Sequence, residues 1–298
     1  MENVLTLVAP QGALEDGLVA SVTEALKRLG VEVSPPDWLS EGEACDISFA
    51  GPDLQSARES AQATMGGAAV DFFAQHTENR RKKILIADMD STIVTTETLD
   101  ELAAHAGRGP EIAAITKRSM LGEIDFTEAV YARVAMLAGL EISAFDETLA
   151  GVRLSPGAET LVRTMTADGA YAALVSGGFE NFTGPVAVLA GFNEHRANRF
   201  EVEGGRLTGR VIKPVLGPGA KLDVLQEMVS KRGLALSQAL AIGDGANDVP
   251  MIRAAGLGIA YRGKPVARAA ADVRIDHTEL TTALFVQGYR RSDFAPKP

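Results

Sequence analysis

The sequence predicts an α/β protein, a doubly wound, mainly parallel sheet with an inserted helical cap, preceded by a small α/β domain. Four short runs are apolar almost throughout, which is typical of strands buried on both faces of a parallel sheet. They are ILIAD (84–88), YAALVSGG (171–178), LAIGDG (240–245) and LGIAY (257–261). Helical patterns lie between them, as a doubly wound sheet requires. We therefore assign residues 84–298 to the larger domain.

The small domain is predicted to occupy residues 1–76. A strand is expected over 3–9, and apolar residues at helical spacing over 17–29 predict a helix that ends at Gly30. The other elements predicted here are strands at VEVS (31–34) and DISFAG (46–51) and a helix over 54–65. This alternation indicates a compact α/β module.

Residues 96–154 interrupt the alternation of the larger domain. They hold three helical patterns and no convincing strand, so we interpret them as an inserted helical cap. Residues 198–212 show two β-like segments around Gly204 and Gly205, which predicts a hairpin.

Composition limits the partners and the location. The formal net charge of -10, from 39 acidic and 29 basic residues, disfavours a nucleic acid or an acidic membrane as a partner. The basic run HTENRRKK (76–83) is interpreted as solvated, with 77–83 as the linker. No apolar run reaches the roughly 18–20 residues of a spanning helix, and no secretory signal is recognised. A cytoplasmic location is expected, and the single Cys45 is interpreted as a buried apolar residue.

Polar residues end three of the four apolar runs, in DMDST (88–92), SGG (176–178) and GDGAND (243–248). Ligands of a doubly wound sheet bind beyond the carboxyl ends of its strands. This set contains carboxylates, hydroxyls, an amide and glycines but no histidine, which favours Mg²⁺. Asp88 and Asp244 are the predicted metal ligands.

Two carboxylates two residues apart can divide the work of phosphate monoester hydrolysis. Asp88 is expected to attack phosphorus, and Asp90 to protonate the leaving alkoxide and then activate water. Attack on a phosphate dianion requires a compensating charge. Lys221, at a predicted helix start, is the candidate for that charge. Hydrolysis through an aspartyl-phosphate is the expected reaction.

Further donors are expected around the phosphate. Ser176, the Gly177 amide and Asn247 can each donate to a phosphoryl oxygen, and glycine permits a close approach of the backbone. Gly178 is assigned a supporting role beside them.

Together these motifs resemble the haloacid dehalogenase superfamily of phosphatases and, more narrowly, its phosphoserine phosphatase family. The matching segments are DMDSTIVTTETLDELA, SMLGEIDFTEAVYARV, LVSGGF and GDGANDVPM. The resemblance implies a haloacid-dehalogenase-like fold, with Mg²⁺ on Asp88, the Asp90 backbone carbonyl and Asp244. Asp248 would orient the groups around the metal.

The same resemblance implies O-phospho-L-serine as the substrate, hydrolysed to L-serine and phosphate in the last step of serine biosynthesis. Glu97 and Arg133 would read its ammonium and carboxylate groups, a task suited to one acid and one guanidinium. Phe126 and Arg133 are two helical turns apart and so share a face. Met120 and Phe126 would shield the site from water, with plain packing in the core of the cap as the alternative.

The small domain is similar in element order to the ligand-sensing ACT domain. The resemblance implies regulation by serine, and a purely structural or dimerising role, with a homodimer, is the alternative for this domain. Two other functions remain open for the whole chain at this point. One is a phosphotransferase that passes the phosphoryl group to an alcohol such as homoserine. The other is a non-catalytic amino-acid sensor.

Overall fold

The computed structural model describes residues 1–51, 53–120 and 123–296, the side chains of Ser119 and Met120 excepted. These residues form two sheets, one of four strands near the N-terminus and one of seven strands in the rest of the chain. Among the described helices, none is both long and apolar enough to cross a membrane.

The four-stranded sheet is antiparallel, with strand order β2-β3-β1-β4. Its strands are β1 (Asn3–Val8), β2 (Asp37–Ser40), β3 (Ala44–Phe49) and β4 (Asp71–His76). Its helices are α1 (Asp16–Lys27) and α2 (Leu54–Met65). The order β-α-β-β-α-β is that of a ferredoxin-like split βαβ unit. The apolar stripe of α1, with Val22 and Leu26, and that of α2, with Ala57 and Ala61, are buried in one core with the sheet.

The strand predicted at 31–34 is wrong. Only Val33 forms an isolated bridge there, to Phe49, and the strand itself begins at Asp37. Pro35 and Pro36 separate the two positions. Because proline has no N–H to donate to a ladder, pairing cannot continue through them.

The basic run before the second sheet is not solvated throughout, contrary to prediction. Arg80 donates to both carboxylate oxygens of Asp46, at 2.6 and 2.8 Å, and to the Val286 carbonyl at 2.8 Å. Lys82 is only 6% exposed and donates to the Ser237 carbonyl at 2.9 Å. This segment therefore joins the two sheets through buried hydrogen bonds as well as through the chain.

The seven-stranded sheet has the order β11-β10-β9-β5-β6-β7-β8 and is parallel except for β8. Its strands are β5 (Ile84–Ala87), β6 (Tyr171–Phe179), β7 (Glu194–Glu203), β8 (Arg206–Ile212), β9 (Ala239–Gly243), β10 (Leu257–Tyr261) and β11 (Val273–Ile275). All residues of β5, β9 and β10 are buried, as their apolar sequences predict. The central strand is β5, so the residue that follows it lies in the middle of the carboxyl edge.

Helices α7 to α12 belong to the unit around this sheet. They are α7 (Ala158–Ala167), α8 (Glu180–Ala190), α9 (Ala220–Lys231), α10 (Val249–Ala254), α11 (Pro265–Ala270) and α12 (Thr282–Val286). The predicted hairpin is present as β7 and β8, with Gly204 and Gly205 at φ 56° and 76°. Positive φ at both central residues is what a tight hairpin turn demands.

Within the insertion at 96–154, the described residues form four helices rather than the three predicted. They are α3 (Thr98–His105), α4 (Gly109–Met120), α5 (Phe126–Ala135) and α6 (Ser143–Gly151). A bridge between Val94 and Leu154 closes the base of this insertion. At the start of α5, the Asp125 carboxylate accepts from the Thr127 amide at 2.7 Å, so the helix is capped where the sequence places an aspartate before its apolar stripe.

Candidate active site

Asp88 follows the central strand and opens a tight turn over Met89–Ile93. Its Oδ1 accepts from the Met89 amide at 2.8 Å, and Ser91 has φ 56°. The turn brings both Asp88 and Asp90 to the wall of one cavity of about 340 Å³.

Three buried carboxylates converge at this cavity, and two of them, Asp88 and Asp244, line its wall. Asp88, Asp244 and Asp248 each present an oxygen within 4.8 Å of the others. Burial and the charge of Asp248 raise the pKa of Asp88 well above its ordinary value, although Lys221 opposes the shift. Burial also raises the pKa of Asp244, with Lys264 opposing it. Crowded carboxylates without a soft ligand fit a hard divalent cation such as Mg²⁺, which would stabilise their ionised forms.

The three carboxylates differ in what else they bind. Oδ2 of Asp248 accepts from the amides of Asp244 and Gly245, at 3.0 and 2.9 Å, and its Oδ1 accepts from Lys221. Asp248 is therefore occupied by the chain, which suits the supporting role predicted for it. The Asp90 carboxylate stands outside this group, and its backbone carbonyl remains the predicted third ligand.

Lys221 lies in the first turn of α9 and is only 4% exposed. Its Nζ is 2.6 Å from Asp88 Oδ1 and also contacts Asp248. Burial alone would lower the pKa of Lys221, but the carboxylates of Asp248 and Asp88 outweigh burial and raise it. The residue is a permanent cation beside the predicted nucleophile.

Asp90 occupies a different environment from Asp88. Its Oδ1 accepts from the Thr98 amide at 2.9 Å, while its Oδ2 lies 3.5 Å from Ser176 Oγ. Burial, with a contribution from the Glu97 charge, raises the pKa of Asp90 to about 7. A carboxyl group with this pKa can hold or release a proton near neutral pH, as a general acid and base must.

The end of β6 supplies the opposite wall. Ser176 Oγ accepts from the Gly178 amide at 2.9 Å. A Cβ on Gly178 would lie 3.0 Å from Ser176 Oγ and 3.3 Å from Asp90 Oδ2, and one on Gly177 would lie 3.1 Å from the Phe126 ring. Both glycines are thus explained by close approach. Asn247 lines the same cavity, half-buried.

Glu97 and Arg133 reach the cavity from the inserted helices. Glu97 immediately precedes α3 and accepts from Ser91 Oγ at 2.7 Å. Arg133, on α5, donates from Nε to the Ala129 carbonyl at 3.2 Å. Burial lowers the pKa of Arg133, while the charges of Asp100, Glu97 and Asp90 oppose the shift. Phe126 shares the cavity with Arg133, as their spacing predicts.

The structure therefore brings the predicted site residues together, except for one whose side chain lies outside the described residues. The side chain of Met120 is not among the described residues. Lys221 and Asp248 stand behind the cavity, in contact with Asp88 and Asp244 respectively.

Sequence reasoning missed Lys264 and Asp100. Lys264 Nζ lies 3.2 Å from Asp244 Oδ2, and its amide donates to the Asp244 carbonyl at 2.8 Å. It follows β10, the fourth apolar run, and only the residues that end the other three runs were considered as site candidates. Asp100 lines the cavity one helical turn after Glu97, a spacing that places both on one face.

Comparison with known proteins places the chain in a family. Residues 85–253 match the haloacid dehalogenase-like hydrolase family. A phosphoserine phosphatase of Lactococcus lactis is 41% identical over 203 residues, 68% of this chain and 94% of that protein. One of Streptomyces coelicolor is 38% identical over 252 residues, 84% of this chain and 62% of that protein. This chain belongs to the haloacid dehalogenase-like hydrolase family.

Solved structures extend the similarity to both sheets. A haloacid dehalogenase family hydrolase of Salmonella enterica serovar Typhi has a TM-score of 0.85 at 25% identity, covering 95% of this chain and 97% of its own. The predicted haloacid-dehalogenase-like fold with a mainly parallel sheet is confirmed. The chain spans only 52% to 62% of the length of three of the similar phosphoserine phosphatases. The likeness of the first sheet to an ACT domain stays a prediction.

Proposed function

We propose that this protein is a Mg²⁺-dependent phosphoserine phosphatase that works through an aspartyl-phosphate on Asp88. The observation that carries the proposal is the pairing of Asp88, directly after the central strand, with Lys221 at 2.6 Å, beside a second carboxylate in a different environment, Asp90. One carboxylate is held next to a cation, and the other has its pKa near neutrality. Nucleophilic attack and proton transfer require this division.

Catalysis would run in two steps. In the first, an Asp88 carboxylate oxygen attacks phosphorus, the bond from phosphorus to the serine oxygen breaks, and Asp90 gives its proton to that oxygen. In the second, Asp90 takes a proton from water as the water attacks phosphorus, and Asp88 is released as a carboxylate. Lys221, Ser176 and the Gly177 amide would hold the phosphoryl oxygens in both steps.

Asp88, Asp244 and the Asp90 carbonyl would hold the metal. When bound, Mg²⁺ supplies positive charge to the phosphoryl oxygens. Lys221 contacts Asp88 and opposes the rise in the pKa of that carboxyl group, and the metal would favour its ionised form further. The Asp248 carboxylate fixes the turn that carries Asp244, through the amides of residues 244 and 245.

The charged groups that Glu97 and Arg133 bring to the cavity suit phosphoserine. Its carboxylate calls for a guanidinium, which Arg133 offers, and its ammonium calls for a carboxylate, which Glu97 offers. Phe126, which stands over Gly177, would exclude water from the phosphoryl group. Proteins of this name are among the relatives with about 40% identity.

The test is phosphate release from O-phospho-L-serine by the full chain, with Mg²⁺ or with a chelator. We expect activity that requires the metal and is lost in Asp88→Asn. Undiminished turnover by that variant would remove the proposed nucleophile. Added homoserine distinguishes the phosphotransferase, because that enzyme would form phosphohomoserine. Binding of serine without phosphate release from any monoester would instead establish a sensor.

Wider aspects of the proposal rest on the same resemblance. We propose a cytoplasmic enzyme in serine biosynthesis, a homodimer, and a regulatory or dimerising role for residues 1–76. The division into this domain, a linker at 77–83 and a catalytic domain over 84–298 with a cap at about 96–154 belongs to the proposal.

A further inference from the structure

A second cavity lies between the two sheets, away from the site above. Its volume is about 460 Å³. One wall comes from α2 and β4 of the four-stranded sheet, and the other from α11, β11 and the loop that follows it. The cavity is within the size range of small-molecule sites, and its lining is rich in charged side chains.

The carboxylates in this lining already accept hydrogen bonds from the chain. Asp71 binds backbone amides of residues 276–278, Asp272 binds the Gly258 amide, Asp276 binds Arg268, and Glu59 binds Gln55. Their negative charge is thus partly offset by these donors.

Two arginines keep donors available. Arg58 lies over the Phe73 ring, 4.8 Å from its centroid, and gives one N–H to the Ala74 carbonyl at 2.9 Å. Its Nε is buried without a hydrogen-bond partner among the described residues. Arg274 is exposed and donates from Nε to the Arg268 carbonyl at 3.0 Å, and its two terminal nitrogens have no hydrogen bond or ion pair among the described residues. The Nε of Arg58 is enclosed by the chain, so the terminal nitrogens of the two arginines are the donors that a ligand in the cavity could reach.

We propose that this cavity binds a small anion, a carboxylate or a phosphate, through Arg58 and Arg274. The guanidinium fork suits both kinds of anion, since each presents two oxygens side by side. Phe73, Met65 and Val70 add apolar surface to the lining, which a short carbon chain could contact. The inference does not depend on the reaction proposed for the other cavity.

Helix α11 runs between the two cavities. Lys264, the residue before it, contacts Asp244 at the candidate active site, and Arg268, on its last turn, lines the anion cavity. The Arg268 amide donates to the Lys264 carbonyl at 3.0 Å. A ligand at Arg58 and Arg274 would therefore lie one short helix away from Asp244.

Isothermal titration of the full chain with succinate, and separately with inorganic phosphate, tests the proposal. We expect at least one probe to bind, and Arg58→Gln and Arg274→Gln each to weaken that binding about tenfold or more. Binding of succinate alone would identify a carboxylate site, and binding of phosphate alone would identify a phosphate site. Arg210→Gln is the matched control, because Arg210 is an exposed, ion-paired arginine on β8.

Arg58 is partly buried, so its variant can lose stability. Arg274 is exposed, and its variant should fold. Phosphate can also enter the candidate active site, but that binding would be unaffected by either substitution. The assignment would be overturned if neither probe bound detectably, or if neither variant weakened the binding.

Discussion

Lys221 Nζ lies 2.6 Å from Asp88 Oδ1 and touches Asp248 on its other side, with all three side chains buried. A buried cation between two carboxylates has two consequences. It opposes the repulsion that raises the pKa of Asp88, and it places positive charge beside the predicted nucleophile.

Lys221→Met should therefore reduce both stability and activity. Removing one partner of a buried ion pair costs about 3–5 kcal/mol of unfolding free energy. Loss of a cation aimed at the phosphoryl group should lower kcat by about 10²–10³-fold. Urea unfolding and phosphate release measure the two effects. Lys231→Met, on the same helix but exposed, is the control and should leave activity unchanged. Equal effects of the two substitutions would contradict the role given to Lys221.

The environment of Asp90 predicts a dependence on the leaving group. A serine alkoxide is a poor leaving group and needs a proton, whereas an aryl oxide with a low pKa leaves without one. Asp90→Asn should therefore slow the first step with phosphoserine by about 10²–10⁴-fold and with p-nitrophenyl phosphate much less. Single-turnover kinetics on both substrates measure this step. If both substrates slowed by the same factor, Asp90 would not be the proton donor.

The sequence predicts well the part of the site that lies at the carboxyl edge of the seven-stranded sheet, for a geometric reason. Parallel strands end at one edge of a sheet, so residues that follow β5, β6 and β9 must meet there. Asp88, Ser176 and Asp244 were found in this way, and the same reasoning applied to β10 would have found Lys264. The attachment of Asp248 to the backbone of its own turn could not be read from spacing, because it depends on the exact path of residues 243–248.

Tertiary contacts explain where the sequence reading of the fold was wrong. The basic run over 76–83 has the composition of a solvated linker, but Arg80 finds its partners in Asp46 and in the carbonyl of Val286. Nothing local to the run reveals these partners, since they lie in a different sheet and at the far end of the chain. The strand misplaced at 31–34 has the same origin, because a β-like sequence becomes a strand only where a neighbour is in register.

The buried Cys45 thiol is expected to make the free energy of unfolding depend on pH. The thiol lies in β3, fully buried, and burial, with a smaller effect of Asp46, raises its pKa from 9.0 to about 12. Above pH 9 the unfolded chain loses this proton while the folded chain keeps it. The contribution of the neutral thiol to folding is therefore complete below pH 9 and is lost as the pH rises toward 12.

Urea unfolding of the protein and of Cys45→Ala, at pH 7.5 and pH 10, measures this contribution. The stability advantage of cysteine over alanine should shrink by about 1.4 kcal/mol between pH 7.5 and pH 10, because pH 10 lies one unit above the pKa of the unfolded thiol. Other groups that titrate in this range are common to both chains and cancel in the difference. An advantage that stayed constant would mean that the thiol ionises equally in the folded and unfolded chains.

Arg133 is expected to set substrate choice. Hydrogen bonds to a charged group contribute about 1.5–3 kcal/mol, so Arg133→Ala should lower kcat/KM for phosphoserine by about 10- to 100-fold. An aryl phosphate has no carboxylate to lose, and its kcat/KM should change little. Arg133→Lys keeps the charge but not the planar guanidinium, so its kcat/KM for phosphoserine should lie between the values of the unaltered protein and of Arg133→Ala.

Arg118→Ala separates recognition from a general loss of positive charge on the inserted helices. Arg118 lies on α4, exposed and paired with Glu123, and should be replaceable without effect on either substrate. The decisive quantity is the ratio of kcat/KM for phosphoserine to that for the aryl phosphate. A ratio unchanged by Arg133→Ala would show that the guanidinium does not bind the carboxylate, and the choice of phosphoserine would then need another explanation within the same cavity.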